Sequence, residues 1–185
     1  MSGRGEGYED GFRTFVETRS AALLRTAVLL CGGDRHAAED LLQNALIKTL
    51  GRWQRIEDPE AYVRQVLYRQ QIGRWRLKWP RREVSVSEPP EAGRAEDSLA
   101  VAELRVVLRA ALARLTTRQR TVLVLRYFED LPEAEVAALL GCSVGTVRST
   151  THRSLARLRT LAPELAALGP AVEESVHPRA VEVGP

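Results

Sequence analysis

The chain has 185 residues, with 27 Lys and Arg against 24 Asp and Glu, giving a formal net charge of +3. That length suits one domain or two small ones, and a hydrophobic share of 44% supports packed cores, which excludes a disordered chain. No apolar run approaches the ~18 residues of a membrane span, and the first residues carry Gly, Glu and Arg where an apolar leader would stand; a soluble, cytoplasmic protein without membrane insertion is expected.

Aromatic residues make up only 5% of the chain, and abundant Ala, Leu, Arg and Glu favour helices. No strand run and no internal repeat stands out. A first helix is expected over residues 9–30, with Phe12, Phe15, Val16, Leu23 and Leu30 among its apolar positions and Gly32-Gly33 as its stop. Asp34 is placed to cap a second helix over residues 35–53. Asp58-Pro59 couples a cap to a proline at the first helical position, so a third helix starts there and ends by Pro80. Residues 81–98 contain Pro89-Pro90, Gly93 and several acids, and read as a flexible acidic linker. Helical spacing resumes near Leu99 with Leu104, Leu108, Ala111, Leu112 and Leu115. Thr116 and Gln119 form a capping box for a helix through about Tyr127. A short helix over residues 133–140, a Gly-Cys-Ser turn and a longer helix from Val144 follow. Residues 163–185 lack periodicity and read as a disordered tail. The expectation is all-α: two small helical domains, residues 8–80 and 99–162, joined by the linker.

Neither Cys31 nor Cys142 has a Cys or His at zinc-ligand spacing. Both are expected as buried thiols in a reducing compartment, and no metal or cofactor is implied. There is no Gly-rich phosphate loop, carboxylate pair, His cluster or Ser-His arrangement to support an enzyme.

The segment LPEAEVAALLGCSVGTVRSTTHRSLARLR (residues 131–159) reads as a helix-turn-helix, whose second helix usually enters the DNA major groove. On that helix Val144, Val147, Thr151, Leu155 and Leu158 share a side that can pack. Thr146, Ser149, His152 and Arg153 lie opposite, flanked by Arg148 and Arg157. No acidic residue interrupts residues 144–160. Arginine can bind guanine edges bidentately, and Ser or Thr can reach phosphates or bases. The plainer alternative is a basic, solvated surface helix.

Two faces of the first domain stand out. On the second helix Ala38, Leu41, Leu42, Ala45, Leu46, Thr49, Leu50 and Trp53 form an apolar stripe. Asp40, Gln43, Asn44 and Ile47 lie opposite, and an Ile among acids and amides suits a protein partner or is a stray surface apolar residue. On the third helix Arg64, Tyr68, Gln71, Trp75, Lys78 and Trp79 share a face. Aromatics interleaved with cations suit unpaired nucleic-acid bases; the alternative puts those aromatics in the core. Gly73, on the opposite side, is expected at a close helix contact. The polar loop of residues 54–59 is placed to cradle a flipped base.

Taken together, DRHAAEDLLQNAL, DPEAYVRQVLYRQQIGRWR, LTTRQRTVLVLRYFEDL and GCSVGTVRSTTHRSLARLR resemble, in that order and spacing, the extracytoplasmic-function sigma factors. These are the minimal two-domain branch of the sigma-70 family, and the likeness is to an actinobacterial sigma-E-like group. The resemblance covers residues 12–159 and implies a promoter-recognition subunit that is not an enzyme. It implies that Asp40, Leu41, Leu42, Gln43, Asn44 and Ile47 dock on the clamp helices of the largest subunit of core RNA polymerase. The flap of the second-largest subunit, promoter DNA and an anti-sigma protein are further implied partners. Recognition and melting of the −10 element fall to Arg55, Arg64, Tyr68, Arg69, Gln71, Trp75, Arg76 and Lys78. Reading of the −35 element falls to Thr146, Arg148, Ser149, His152, Arg153 and Arg157. Relative to the family, Pro132 replaces a Ser or Thr cap ahead of the helix-turn-helix.

The competing expectation is a stand-alone helix-turn-helix regulator that binds duplex DNA without polymerase. Its sensory half would normally sit on a βα scaffold, and the first eighty residues lack strands.

Overall fold

In the computed structural model the described residues are 3–78 and 99–166. The linker expected at residues 81–98 and most of the expected tail lie outside them. Every regular element among the described residues is helical, as expected.

The first half is built from α1 (Gly3–Leu30), α2 (Arg35–Leu50) and α3 (Pro59–Lys78). Helix α1 begins six residues earlier than the periodicity predicted. Gly32 and Gly33 take φ of +71° and +91°, a left-handed reversal that glycine adopts without strain. Asp34 then caps α2, its carboxylate accepting from the Ala37 N–H at 2.9 Å. Helix α2 stops at Leu50, and Trp53–Arg55 forms a separate 3-10 turn, where sequence spacing suggested one continuous helix. The turn holds the Trp53 ring between Phe12 and Phe15 of α1, at 5.2 and 5.3 Å between centroids. Asp58 caps α3 through the Ala61 N–H at 3.0 Å, with Pro59 in the first turn.

The second half comprises α4 (Leu99–Ala113), α5 (Thr117–Leu123), a π-helical turn (Val124–Phe128), α6 (Glu133–Leu140), α7 (Val144–Leu161) and α8 (Pro163–Ala166). The capping box at Thr116 and Gln119 is complete in both directions. Pro132 occupies the N-cap of α6 and gives it no side-chain bond; Glu133 and Glu135 in the first turn favour the helix dipole instead. Gly141, at φ +61°, closes α6, and Ser143 caps α7 through the Thr146 N–H at 3.2 Å. The short α8 corrects the tail expectation at its start: Pro163 opens one further helical turn packed against α4 and α7.

The two halves share one core. Leu23, Ala27 and Leu30 of α1, Leu41 and Ala45 of α2, and Val63, Leu67 and Ile72 of α3 are continuous with Val122, Val124, Leu125, Val136, Leu140 and Val147. A smaller cluster of Leu112, Leu115 and Leu123 closes the far side against Leu155, Leu158 and Leu161. Helix α5 and the π turn rest on α1, while α5 and α6 rest on α3. That docking decides which faces of the first half remain open.

Candidate nucleic-acid interface

Helix α7 presents its basic side outward. Arg148, Ser149, His152, Arg153 and Arg157 are exposed and Thr146 is half-buried, while Val147, Thr150 and Ser154 are buried beneath them. Val144, Leu155 and Leu158 pack as their spacing implied. Thr150 and Ser154 were not on the expected packing side; their small side chains fit there, and the Ser154 hydroxyl donates to the Thr150 carbonyl at 2.6 Å. Arg148 pairs with Glu133 of α6 at 2.6 Å, which fixes the angle of its guanidinium at the turn. The Arg153 Nε donates to the Ser149 carbonyl at 3.1 Å. The exposed hydroxyls of α7 and its cations therefore share one accessible surface, the composition that duplex DNA selects.

The face expected on α3 divides. Tyr68 and Gln71 are buried at 3% and 6% exposure, and Trp75 is half-buried against the shared core. The wet aromatic face is therefore corrected to a largely internal one, because the second half covers it. Arg64 lies at the same boundary. Its Nη1 donates to Glu129 at 2.7 Å and its Nη2 to Glu60 at 2.8 Å. Arg76 is exposed but donates to the Leu140 carbonyl at 2.7 Å. Arg118 of α5 stacks its guanidinium 5.5 Å from the Trp75 ring centroid. The Lys78 side chain lies outside the described residues.

The open side of α3 is the one bearing Gly73. A Cβ there would meet nothing within 4 Å, so this glycine marks free surface and not the expected close contact. Along that side Tyr62, Val66, Arg69 and Gln70 face Ile47, Lys48, Gly51 and Arg52 across a groove of about 590 Å³. Arg69 and Arg55 of the expected set are exposed, with Arg69 in the groove wall. Lys48, Arg52, Tyr62 and Gln70 were missed by sequence reasoning. The signal was available: Tyr62, Val66, Arg69 and Gly73 follow helical spacing, but the glycine was read as a packing residue.

On α2 the docking set also divides. Asp40, Gln43, Asn44 and Ile47 are exposed, Ile47 at 60%, whereas Leu41 is fully buried and belongs to the core, and Leu42 is nearly so. Leu42 reaches the surface at the floor of a mainly apolar groove of about 270 Å³, lined also by Phe12, Leu24, Leu46, Ile47 and Leu50 with Glu39 and Gln43.

Glu129, which the sequence analysis did not single out, is the most connected polar side chain found between the halves. Its side chain is only 4% exposed. It accepts from the Thr26 hydroxyl at 2.7 Å, from Arg64, and from the Tyr68 hydroxyl in a very short bond. Burial first, and then the Glu129 carboxylate, raise the Tyr68 hydroxyl's affinity for its proton. Burial works against the Arg64 charge, but Glu60 and Glu129 outweigh it and the guanidinium holds its proton more tightly than usual. Burial pushes the Cys31 thiol up to about 11, in keeping with an inert thiol. No group of three or more His, Cys, Asp or Glu side chains able to hold a metal exists among the described residues, and no described helix is long and apolar enough to cross a membrane.

Comparison with known proteins agrees with this arrangement. Residues 105–158 match the family model for sigma-70, region 4. The chain is 44% identical over 151 residues to an RNA polymerase sigma-E factor of Streptomyces antibioticus, covering 80% of this chain and 82% of that one. A counterpart of the same description from Streptomyces coelicolor is 43% identical over 151 residues, covering 80% and 84%. Among solved structures, the sigma factor RpoE in complex with the anti-sigma factor NepR from Bartonella quintana superposes with a TM-score of 0.58 at 25% identity. That match covers 82% of this chain and 96% of the other. With two helical halves, a helix-turn-helix whose basic side is free and kinship over four-fifths of its length, the chain belongs to the extracytoplasmic-function branch of the sigma-70 family of RNA polymerase sigma factors.

Proposed function

We propose that this sigma factor divides promoter recognition between α7 and the groove on the open side of α3. Residues 8–80 act as region 2 and residues 99–162 as region 4, with residues 81–98 as the tether between them. Arg148, Ser149, His152 and Arg153, with Thr146, read the −35 duplex in the major groove, and Arg157 binds its phosphate backbone. The −10 strand, once unpaired, lies along Lys48, Arg52, Arg69 and Tyr62, where cations hold the backbone and the tyrosine ring offers a stacking surface. Arg55 guards one end of that path. Asp40, Gln43, Asn44 and Ile47, beside the apolar groove over Leu42, dock on the clamp helices of core polymerase, and the second half meets the flap. The protein works in the cytoplasm as a binding subunit and not as an enzyme. An anti-sigma protein is a fitting further partner, since the Bartonella relative was solved with one.

The observation that carries this reading is the run of exposed cationic and hydroxyl side chains on a single capped helix with no acid among them. Run-off transcription with purified core polymerase and DNA from upstream of the chain's own coding region tests it. Transcripts are expected only when the protein is added, with permanganate-reactive thymines at the −10 element. Arg69→Ala is expected to reduce that reactivity while −35 binding persists. Unchanged reactivity would remove the groove from the −10 assignment.

A further inference from the structure

The three arginines on the basic side of α7 are not held alike. Arg148 gives its Nε to the Glu133 carboxylate of α6 at 2.6 Å. Arg153 gives its Nε to a carbonyl of its own helix, and Arg157 has no partner among the described residues. We propose that Glu133 is a positioning residue for promoter reading: it aims Arg148 at a guanine edge of the −35 duplex, raising sequence discrimination while lowering overall affinity. The proposal rests on α7 being the −35 reader.

Both members of the pair stand on fixed backbone. Pro132 enters α6 at φ −61° and ψ 151°, and its carbonyl accepts from the Glu135 and Val136 N–H groups at 3.0 and 3.1 Å. Glu133 therefore lies in a closed first turn, where its charge also favours the helix dipole. Val136 of α6 and Val147 of α7, the neighbour of Arg148, are fully buried in the same core. Neither helix can slide past the other without disturbing that packing. The Glu133 side chain is 30% exposed and the Arg148 side chain 70%. The carboxylate thus sits at the base of the pair, and the guanidinium reaches out into solvent.

A guanidinium offers two double-donor edges, one at its Nη1–Nη2 end and one along its side through Nε. With Nε occupied, Arg148 keeps only the end, which spans the O6 and N7 acceptors of a guanine. The side edge, which suits a phosphate, is closed. The Glu133 charge also weakens the sequence-independent attraction of the DNA backbone. Arg148 lies in the early turns of α7, the part of a recognition helix that meets base edges. An exposed ion pair adds little to folding stability, so the effect of this one falls on the DNA. A fork held in place penalises every base that cannot pair with it, whereas a mobile one swings to a phosphate.

The test uses core polymerase reconstituted with the full chain, and promoter fragments in which each −35 base pair is varied in turn. Competition binding reports discrimination, and a thermal melt of the free chain reports folding. Wild type is expected to prefer guanine at one −35 position by roughly 5- to 150-fold, and Arg148→Ala to lose that preference. Glu133→Ala is expected to reduce it by ~5-fold or more while binding of fragments with an altered −35 element rises. Glu133→Gln, which keeps a neutral acceptor for Nε, should restore part of the preference. Glu135→Gln removes an equal charge from the same turn and should leave the preference unchanged. In the Arg148→Ala background, Glu133→Ala should add no further loss. Should Glu133→Ala melt lower than wild type, Glu133→Gln decides alone. A full preference in the Glu133 variants beside its loss in Arg148→Ala overturns the positioning role alone, as does a further loss in the double variant. A preference that survives Arg148→Ala overturns it together with the −35 assignment of Arg148.

Discussion

Arg120 of α5 and Leu30 at the end of α1 lie 90 residues apart in sequence, and the Arg120 Nε donates to the Leu30 carbonyl at 3.2 Å. The same guanidinium reaches the carbonyls of Leu112 and Ala113 at 3.2 Å. Gln71 shares the Leu30 carbonyl at 2.9 Å. A buried arginine with carbonyl partners at the ends of two helices meets the negative poles of both dipoles. Burial lowers its proton affinity below that of a free guanidinium, with no carboxylate among its hydrogen-bond partners.

Replacing it is therefore costly. Arg120→Met fills much of the volume but strands the carbonyls in a dry boundary. A loss of ~2–4 kcal/mol is expected in urea unfolding. Arg120→Lys should recover only part of it, since an ammonium cannot fan out to helix ends on both sides.

Gly32→Ala and Gly141→Ala separate two causes of strain. Both sites have left-handed backbone, for which an alanine costs ~1–2 kcal/mol. At Gly32 the new Cβ would also stand 2.3 Å from Arg120 Nη1, displacing the bonds just described. At Gly141 it would stand 2.9 Å from the Nη2 of Arg76, an exposed side chain that can move aside at the cost of its one bond to the Leu140 carbonyl. Thermal melts should show the larger loss for Gly32→Ala.

Arg153→Ala is expected to weaken binding of a −35 duplex by ~5- to 50-fold, a cost of ~1–2 kcal/mol. Arg157→Ala, further along the helix, should act on a phosphate and lower the salt slope by ~1 without changing sequence preference. Electrophoretic titrations at several salt concentrations distinguish them. Neither side chain supports the fold, so melting temperatures should stay within about 2 °C of wild type.

Asp40→Arg and Ile47→Glu should leave stability intact, because both side chains point to water. Each is expected to lower affinity for core polymerase by ~10-fold or more, as at a central interface position. Leu41→Ala also reduces core binding, but by unfolding the bundle, at ~2–5 kcal/mol. A melt beside the binding assay tells the two apart.

The Cys31 thiol gives a pH signature. Its folded pKa of about 11 lies above the 9.0 of an unburied thiol, so the native state holds this proton more tightly than the unfolded chain. Its contribution is complete below pH 9 and declines as pH rises from 9 to about 11. Stability of the wild type should fall more steeply over that window than stability of Cys31→Ala.

Much of the local structure was legible because it is governed by short-range chemistry. Asp34, Asp58 and the Thr116–Gln119 pair each announce a helix start with a side chain that must satisfy a free N–H, and all three bonds are present. The outward side of α7 followed from periodicity alone. The α3 face was harder. Tyr68, Gln71 and Trp75 look the same in sequence whether water or a second domain covers them, and only the docking across residues 79–98 decides. Gly73 misled for the converse reason, since a glycine permits close packing without requiring it. Glu129 left no local trace, as its partners Thr26, Arg64 and Tyr68 are 61 to 103 residues away.

The π turn at Val124–Phe128 explains how so distant a group finds its partners. The Glu129 N–H reaches back to the Val124 carbonyl at 3.0 Å, five residues and not four, and the Leu131 N–H reaches the Leu125 carbonyl at 2.9 Å. One extra residue in a turn rotates everything after it by ~100° about the helix axis. The widened turn thus works as a phase shifter: upstream side chains keep time with the core, and Glu129 arrives a quarter-turn out of step, facing the neighbouring helices. A one-residue deletion here would leave the composition of the surface nearly unchanged and aim the carboxylate elsewhere.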